Sequence, residues 1–469
     1  LFRVPHTGRI WSTANPEAVD WDWVDHLPTY NADAQLLFYP ASAATPAPRV
    51  PDRVVAVNQD TPANLPHNIV RAYLDVENDF LPSEPLWFTC VSNDTTLPMG
   101  DVFAPGTIPK SGNNPPDQGC GGGSFREIQV KVDGTLAGTA PVFPLVIADL
   151  NWYHRNSADL PIPTLEMLNF KPFRIDLSPF AAVLSAPGPH FVTSTNRVDD
   201  DSRDGGNALL LYLDRGRVQV TGAVTRNTLA TENGAPTDIN TLHRSGDTIS
   251  GDIKTVDLRD YVIQGFVDTS RGRIYSSAWQ TNVFTTTQDF HLVGPQRPDD
   301  EADKLYSQNV WLNSDVRQAS RRTFSGARTI SDDVVTTSYP LQLHYDIATH
   351  VIVDAGWAID FKHTNVTVLQ SRVVEADHYR PGGGHFLTHA GSRFYSVNRG
   401  GIQQTNPQWE SYTTRNYKDN FGSCYSGELS ARGGAIVRMV KGTTCPCGRN
   451  QVRWFAHPDG SPDSLGWWH

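Results

Sequence analysis

The sequence predicts an all-β protein, and three observations support this class. Glycine (37) and proline (33) are frequent among the 469 residues, whereas methionine (3) is scarce. Apolar and polar residues alternate with period two in several segments, which is typical of half-buried strands. Alanine-rich or lysine-rich helical stretches are missing, and only 176–184 fits a helix of one or two turns. We therefore expect many short strands joined by turns.

The predicted strands follow in order from this alternation. They fall at 68–77, 124–134, 209–220, 337–345, 350–361 and 364–376, with a turn at 214–216 inside the third. Residues 258–280 are predicted to form a hairpin around Ser270, Arg271 and Gly272.

One strand places candidate functional residues on opposite faces. In 124–134, Arg126 falls in phase with Ile128 and Val130, whereas Glu127 falls out of phase with them. We therefore expect Arg126 to be buried and Glu127 to lie at the surface. A buried guanidinium needs an anionic partner, because an unpaired buried charge is costly.

Composition also predicts the domain boundaries. Residues 41–66 are rich in alanine, proline and asparagine and are predicted as a linker, and the polar, turn-rich 225–250 as a second. Between them lies one β domain at 67–224, and after them a β-rich accessory domain at 251–469. Residues 1–40 hold too few strands for a core of their own, so we expect their apolar faces to pack on other residues.

Charge excludes some partners. The formal net charge is −11, and the 39 lysines and arginines are scattered along the chain. Nucleic acid is therefore not an expected partner, because its phosphates would be repelled. No apolar run approaches the ~18 residues that a membrane span needs, so no membrane association is expected. The carboxylate excess is a solvated surface, or it reflects function at acidic pH.

The five cysteines favour disulfides over a metal site. Cys90 and Cys120 flank a stretch rich in proline, glycine and asparagine, and a disulfide closing such a loop contributes ~3–4 kcal/mol. Cys424 pairs with either Cys445 or Cys447, which leaves one thiol over. Because disulfides persist in oxidising compartments, we expect a secreted or periplasmic protein. The chain begins at Leu1 without a signal-peptide pattern, so a leader has been removed or the protein begins further upstream.

Several short motifs resemble, in order, those of the PNGase A family of peptide N-glycosidases. They are RAYLDV at 71–76, EPLWF at 84–88, FRE at 125–127, VDG at 132–134, WYHR at 152–155, DLP at 159–161, IDLSPF at 175–180 and FGSCYS at 421–426. A more distant similarity links Gly119, Cys120, Phe125 and Arg126 to PNGase F. The resemblance implies tandem jelly-roll sandwiches with a site in the cleft between them.

The resemblance also implies a residue that this chain does not show. In both relatives the first jelly roll carries a catalytic aspartate in an Asp-Arg pair after an aromatic residue. Asp52 and Arg53 form an Asp-Arg pair, but they lie in the predicted linker and follow a proline instead of an aromatic residue. We therefore expect 1–40 to be the end of an incomplete first jelly roll. A separate upstream chain from the same precursor would complete it and supply the aspartate; upstream residues of the same chain are the alternative.

The implied reaction hydrolyses the amide bond between asparagine and the innermost N-acetylglucosamine of an N-glycan, converting asparagine to aspartate, with an acidic pH optimum. One ionised carboxylate activates water, and one protonated carboxyl group supplies a proton to the leaving nitrogen. A guanidinium or amide donor near the developing oxyanion completes the site. No cofactor and no metal are required, and N-glycosylated peptides or proteins are the expected partners.

Six residues are the candidates for these roles. Glu84 is the first choice for the acid, because apolar neighbours raise a carboxyl pKa, and the alternative is a solvated loop acid. Glu127 is the second acid, and Arg126 is the electrostatic donor or a structural ion-pair partner. Trp87 stacks on a sugar or fills the core. Trp152 and Arg155 hold the glycan core or serve only as loop residues.

Two other function classes remain open. A carbohydrate-binding jelly roll without activity would explain the missing aspartate. An endo-acting glycoside hydrolase would place two carboxylates on either side of a bond between sugars. His385 and His389 follow three glycines without a helix to align them, so they are a poor metal site.

Overall fold

The computed structural model of the chain describes eighteen segments, and these are nearly all β. They are residues 2–7, 31–36, 51–57, 61–76, 87–90, 123–144, 173–196, 207–231, 234–246, 248–293, 304–326, 330–354, 356–379, 386–403, 406–419, 424–442 without 433–434, and 445. Side chains inside some of these strands are also left undescribed. The predicted all-β class is therefore confirmed.

The described elements fall into a small N-terminal part and a long C-terminal part. In chain order the first strands are β1 (Phe2–Thr7), β2 (Asn31–Leu36), β3 (Arg53–Ala56), β4 (Ile69–Val76), β5 (Glu127–Val132), β6 (Thr135–Pro141), β7 (Phe173–Asp176), β8 (Val192–Asn196) and β9 (Ala208–Leu213). A 3₁₀ turn covers Trp87–Thr89, and a second at Ser178–Phe180 runs into the short helix α1 (Ala181–Leu184).

The remaining strands are β10 (Thr221–Asn227), β11 (Thr237–Asn240), β12 (His243–Ser245), β13 (Thr248–Thr269), β14 (Gly272–Val293), β15 (Lys304–Gly326), β16 (Ile330–Asp354), β17 (Gly356–Tyr379), β18 (Phe386–Gln403), β19 (Asn406–Asp419), β20 (Cys424–Arg432) and β21 (Ala435–Lys441). From β13 to β17 each strand has 22 to 25 residues. At about 3.4 Å per residue such a strand is roughly 75–85 Å long.

The strands form four sheets. β1 and β2 pair with each other, and β3-β9-β4-β7 form a four-stranded sheet. β6-β5-β8 form a three-stranded sheet. β10 and β13 to β21 run in consecutive antiparallel order in a sheet of twelve strands, in which β11 and β12 also pair with β13. Sequential antiparallel strands need only short turns, which fits the many turn residues of the sequence.

One apolar core joins the smaller sheets to the large one. Leu74 of the four-stranded sheet, Val130 of the three-stranded sheet, and Ile263 and Leu343 of the large sheet all belong to a single buried cluster. The inner face of the large sheet therefore covers the central strands. We define the contact between this face and the two smaller central sheets as the seam.

The structure bears out several local predictions. The strand at 68–77 is β4, the helix predicted at 176–184 is the turn that leads into α1, and the strand at 209–220 begins as β9. The hairpin at 258–280 is also present, because Thr269 pairs with Gly272 across a two-residue turn. The strand predicted at 350–361 is wrong, since β16 ends at Asp354 and β17 starts at Gly356.

Both predicted linkers need correction. The segment 225–250 contains β11, β12 and part of β10, which pair with β13. In 41–66, β3 pairs with β9, and Leu65 is buried. Both segments contain strands at the edges of sheets, which are half exposed and carry few apolar residues. Their polar composition therefore resembled that of linkers. The central unit therefore begins by Arg53, and the large sheet begins with β10. The jelly-roll connectivity of the central strands remains a prediction.

Candidate functional site

The seam brings together some of the predicted site residues. Trp87, Arg126 and Glu127 all lie there. Glu84, Trp152 and Arg155 lie outside the described residues, as does Cys120, so their predicted roles stay predictions.

Trp87 fills the core. Its side chain is 1% exposed, and its ring lies 6.0 Å from Phe88 and 6.1 Å from Phe284 between centroids. The 3₁₀ turn is attached to the large sheet, because Gln308 Nε2 donates to the carbonyl oxygen of Thr89 and Gln288 Nε2 to that of Cys90. In this arrangement the faces of the indole ring are not open to a sugar. Of the two roles predicted for Trp87, the structure therefore supports core filling.

Arg126 is buried, as its phase in the strand predicts. Its side chain is 2% exposed. Its Nη1 group donates to the carbonyl oxygens of Gly123 at 2.7 Å and of Phe125 at 2.8 Å. These bonds hold the guanidinium at the entry to β5, directly before Glu127.

Arg126 and Trp87 line one small cavity with Asn282. The cavity measures about 10 Å³, which is close to the minimum for one water molecule. Within the described parts of the chain, Trp87 Nε1 and Asn282 Oδ1 have no hydrogen-bond partner. A donor and an acceptor thus border a space that suits one small polar group.

Glu127 corrects the prediction of a surface residue, because its side chain is completely buried. β5 is covered on both faces: Ile128 and Val130 face the central core, while Glu127 packs against β13 of the large sheet. Alternation along a strand shows that its two faces differ, but it does not show whether a second sheet covers the polar face.

Two residues of β13 complete an ionic cluster around Glu127. Arg259 Nε donates to Glu127 Oε2 at 3.1 Å and lies 3.6 Å from Asp257 Oδ2. Gln129 Nε2 donates to the other carboxylate oxygen of Glu127 at 3.3 Å. All three ionisable side chains are nearly inaccessible, at 0–5% exposure. We call Glu127, Asp257 and Arg259 the seam cluster.

Burial shifts both acids of the seam cluster in the same direction. Desolvation raises the pKa of Glu127, although Arg259 and Gln129 oppose the shift. Desolvation, together with the nearby charge of Glu127, raises the pKa of Asp257 to about 7. Two carboxylates that share one arginine hold a proton near neutral pH. A carboxyl group that keeps its proton near neutral pH can act as a general acid.

Sequence reasoning missed Asp257 and Arg259. A signal was present, because both alternate in phase with Ile253, Tyr261 and Ile263, which are buried on one face of β13. Charged residues in phase with a buried face predict a buried ion pair. Their partner on β5 was not predictable, since the two strands are more than a hundred residues apart in the chain.

Asp52 has a structural role. Its Oδ1 accepts from Arg215 Nη2 at 2.6 Å, and its Oδ2 accepts from the backbone N–H of Leu213 at 2.9 Å. These bonds tie the start of β3 to the end of β9. The Asp-Arg pair at 52–53 thus joins two paired strands of the four-stranded sheet.

Three of the five cysteines lie in the described residues, and all three are disulfide-bonded. Cys424 bonds to Cys445, with their Cα atoms 5.6 Å apart, which decides between Cys445 and Cys447. Cys90 is also disulfide-bonded. Its predicted partner, Cys120, lies outside the described residues, as does Cys447. A disulfide is compatible with an oxidising, exported location.

Comparison of the chain with known protein families, with curated proteins and with solved structures finds no match in any of the three. Fold and site together define an all-β protein with a buried carboxylate–arginine cluster between two layers of sheet. Among the helices of the described residues, none is long and apolar enough to cross a membrane. Nor do three or more metal-ligating side chains group together anywhere in the described segments.

Proposed function

We propose that this chain is the larger part of a peptide N-glycosidase that hydrolyses the amide bond between asparagine and the innermost N-acetylglucosamine of an N-glycan. The observation that carries the proposal is the seam cluster, in which Glu127 is buried beside a second carboxylate and an arginine. The motif that contains Glu127 is one of those that resemble the PNGase A family.

The chemistry of the cluster supports amide hydrolysis. The leaving glycosylamine nitrogen must take up a proton, and a carboxyl group with a raised pKa is protonated at the acidic pH where the reaction is expected to run. Water addition also needs a base, for which Glu84 and an upstream aspartate are the remaining candidates. Arg126 precedes Glu127 in the chain and is the candidate donor for a developing oxyanion.

The proposal includes export and an upstream partner. The Cys424–Cys445 disulfide supports an oxidising compartment. The upstream chain would complete a first jelly roll around 1–40 and provide the Asp-Arg pair that Asp52 does not provide. The reading frame upstream of Leu1 tests this part: an aromatic-Asp-Arg segment there supports it, and an unrelated sequence contradicts it.

Digestion of an N-glycopeptide followed by mass spectrometry tests the reaction. A peptide N-glycosidase leaves aspartate in place of the glycosylated asparagine, whereas an endo-acting glycosidase leaves a sugar attached. We expect Glu127→Gln and Glu84→Gln each to lower the rate about 10²- to 10⁴-fold, the usual contribution of a general acid or base. Glu375→Gln, on an exposed position of β17, is the matched control.

Folding must be separated from chemistry in this test. Because Glu127 is buried, the urea midpoint of each variant is measured alongside its rate. Full activity of both the Glu127 and Glu84 variants would remove both proposed acids. A protein that binds the glycopeptide without changing it would instead be the carbohydrate-binding alternative.

A further inference from the structure

A second cavity lies in the seam, at the edge where the four-stranded sheet meets the large sheet. It measures about 70 Å³, room for about five water molecules, and it opens to solvent. Its floor is the inner face of β13 to β16, with Gln280, Gln318 and Thr337 in one row across three strands. Its wall comes from β4 and β7, through Tyr73 and Arg174. We call it the edge pocket.

The floor of the edge pocket is held rigid by hydrogen bonds. Tyr261 donates to Gln280 Oε1 at 3.0 Å, and Gln280 Nε2 donates to Thr139 Oγ1 at 2.9 Å. Gln318 Nε2 donates to Gln280 Oε1 at 3.2 Å and to the carbonyl oxygen of Arg174 at 3.3 Å. The amide group of Gln318 is thereby oriented, and its oxygen remains as an acceptor.

The charges around the edge pocket disfavour an ionic ligand. Arg174 is paired with Asp75 through two hydrogen bonds, of 2.6 Å from Nε and 2.7 Å from Nη2. Asp176, which also lines the pocket, carries a negative charge that would repel an anion. Arg174 and the nearby Arg322 would in turn repel a cation. A neutral ligand therefore fits best.

The polar atoms of the edge pocket are suited to hydroxyl groups. In the described part of the chain, Asp176 Oδ1 accepts from the backbone N–H of Ser178 at 2.8 Å, whereas its Oδ2 has no partner. The same holds for Gln318 Oε1 and for the hydroxyl groups of Ser320 and Thr337. Carboxylate and amide oxygens accept from hydroxyls, and the two side-chain hydroxyls both donate and accept.

Aromatic rings complete the lining. Tyr73 and Tyr339 are 9% and 8% exposed and stand beside these acceptors. Ligand sites combine apolar and aromatic surface with a few fixed polar groups, which is the composition of this lining. The volume admits a single ring with part of its substituents, and a longer chain would leave through the opening.

We propose that the edge pocket is a binding site for one neutral sugar residue, a hexose or N-acetylhexosamine, recognised by the polar groups of Asp176, Gln318 and Thr337. The site is separate from the seam cluster and does not depend on the proposed hydrolysis. It would hold a sugar of the glycan, or a free sugar, beside Tyr261, which lies two residues along β13 from Arg259.

Isothermal titration of the full chain with glucose, mannose, galactose and N-acetylglucosamine tests the site. We expect saturable binding of at least one sugar in the millimolar range. Thr337→Val removes only a hydroxyl group and should weaken binding about two- to tenfold, as the loss of one hydrogen bond does. Gln318→Leu should weaken it at least as much. Thr336→Val, on the opposite and exposed face of the same strand, should leave it unchanged.

Three outcomes would overturn the site: no saturable binding of any of the four sugars, binding that neither lining substitution changes, or preferential binding of inorganic sulfate. The release of glycans by the same variants is measured in parallel. Loss of sugar binding with unchanged release supports the edge pocket whether or not the proposed reaction is correct. Absence of glycan release in every protein, with sugar binding intact, removes only the proposed reaction.

Discussion

Arg259 is the residue on which the seam cluster depends, because two buried carboxylates share its positive charge. Its Nε lies 3.1 Å from Glu127 and 3.6 Å from Asp257. Without it, two acids would face each other in a site from which water is nearly excluded. Burying an unpaired charge costs several kcal/mol, so the cluster is stable only as a set.

Replacing Arg259 by methionine should lower the free energy of unfolding by ~3–5 kcal/mol at pH 7. The loss should be smaller at pH 5, because Glu127 and Asp257 can then take up protons and lose their charge. Urea unfolding at the two pH values measures the difference.

Arg226→Met, at an exposed position of β10, is the control and should change stability by no more than ~0.5 kcal/mol. An equal loss from Arg259→Met at both pH values would contradict the electrostatic explanation, since a packing defect does not depend on pH.

Close packing of the Ser178–Phe180 turn and α1 on the large sheet depends on glycines. A Cβ atom at Gly265 would collide with the backbone carbonyl of Pro179, and one at Gly222 with that of Phe266. Backbone atoms of packed elements move little, so neither position has room for a side chain. Gly265 thus allows the turn to lie directly on β13, and Gly222 allows β10 to lie close to β13 and to Ala182 of α1.

Gly265→Ala should therefore destabilise the protein by ~1–3 kcal/mol through overpacking. The melting temperature and urea midpoint measure the effect. Gly234→Ala is the matched control, since a Cβ atom there meets nothing within 4 Å. Equal stability of the two variants would show that the turn can move away from the sheet.

For the whole molecule, the seam links stability to pH. An aspartate has a pKa near 3.9 when unfolded, and burial beside Glu127 raises that of Asp257 to about 7. Between these values the folded protein binds the proton more tightly than the unfolded chain. The stability that this tighter proton binding gives to the folded state is fully present below pH ~4, and it is lost as the pH rises to about 7. Glu127, whose pKa is also raised, acts in the same direction.

We expect the free energy of unfolding to fall by up to ~4 kcal/mol between pH 4 and pH 7, since each pKa unit corresponds to ~1.4 kcal/mol. Urea unfolding over this range measures it, and Asp257→Asn should flatten the dependence. Below pH ~4 the trend should reverse, because hydrogen bonds lower the pKa of Asp214 and Asp268. Stability that rises steadily from pH 4 to 7 would contradict this assignment.

Much of the local structure was predictable because it depends on neighbours in the chain. The alternation of Ile128 and Val130 marks β5, and Ser270 and Arg271 mark the turn between β13 and β14. The burial of Arg126 followed from the same periodicity. Among the ionisable residues of the seam, however, the sequence identified only Arg126 and Glu127 as candidates. It also predicted that Glu127 lies at the surface.

By itself the sequence determined the all-β class, the position of many strands and turns, and the choice of Cys424 as a disulfide partner. Only the tertiary structure decided that 225–250 joins the large sheet and that Glu127 meets Arg259. It also brought Asp176 and Thr337 to one pocket. The physical reason is distance along the chain: strand periodicity reports which residues share a face, whereas the sheet that covers this face comes from residues a hundred or more positions away.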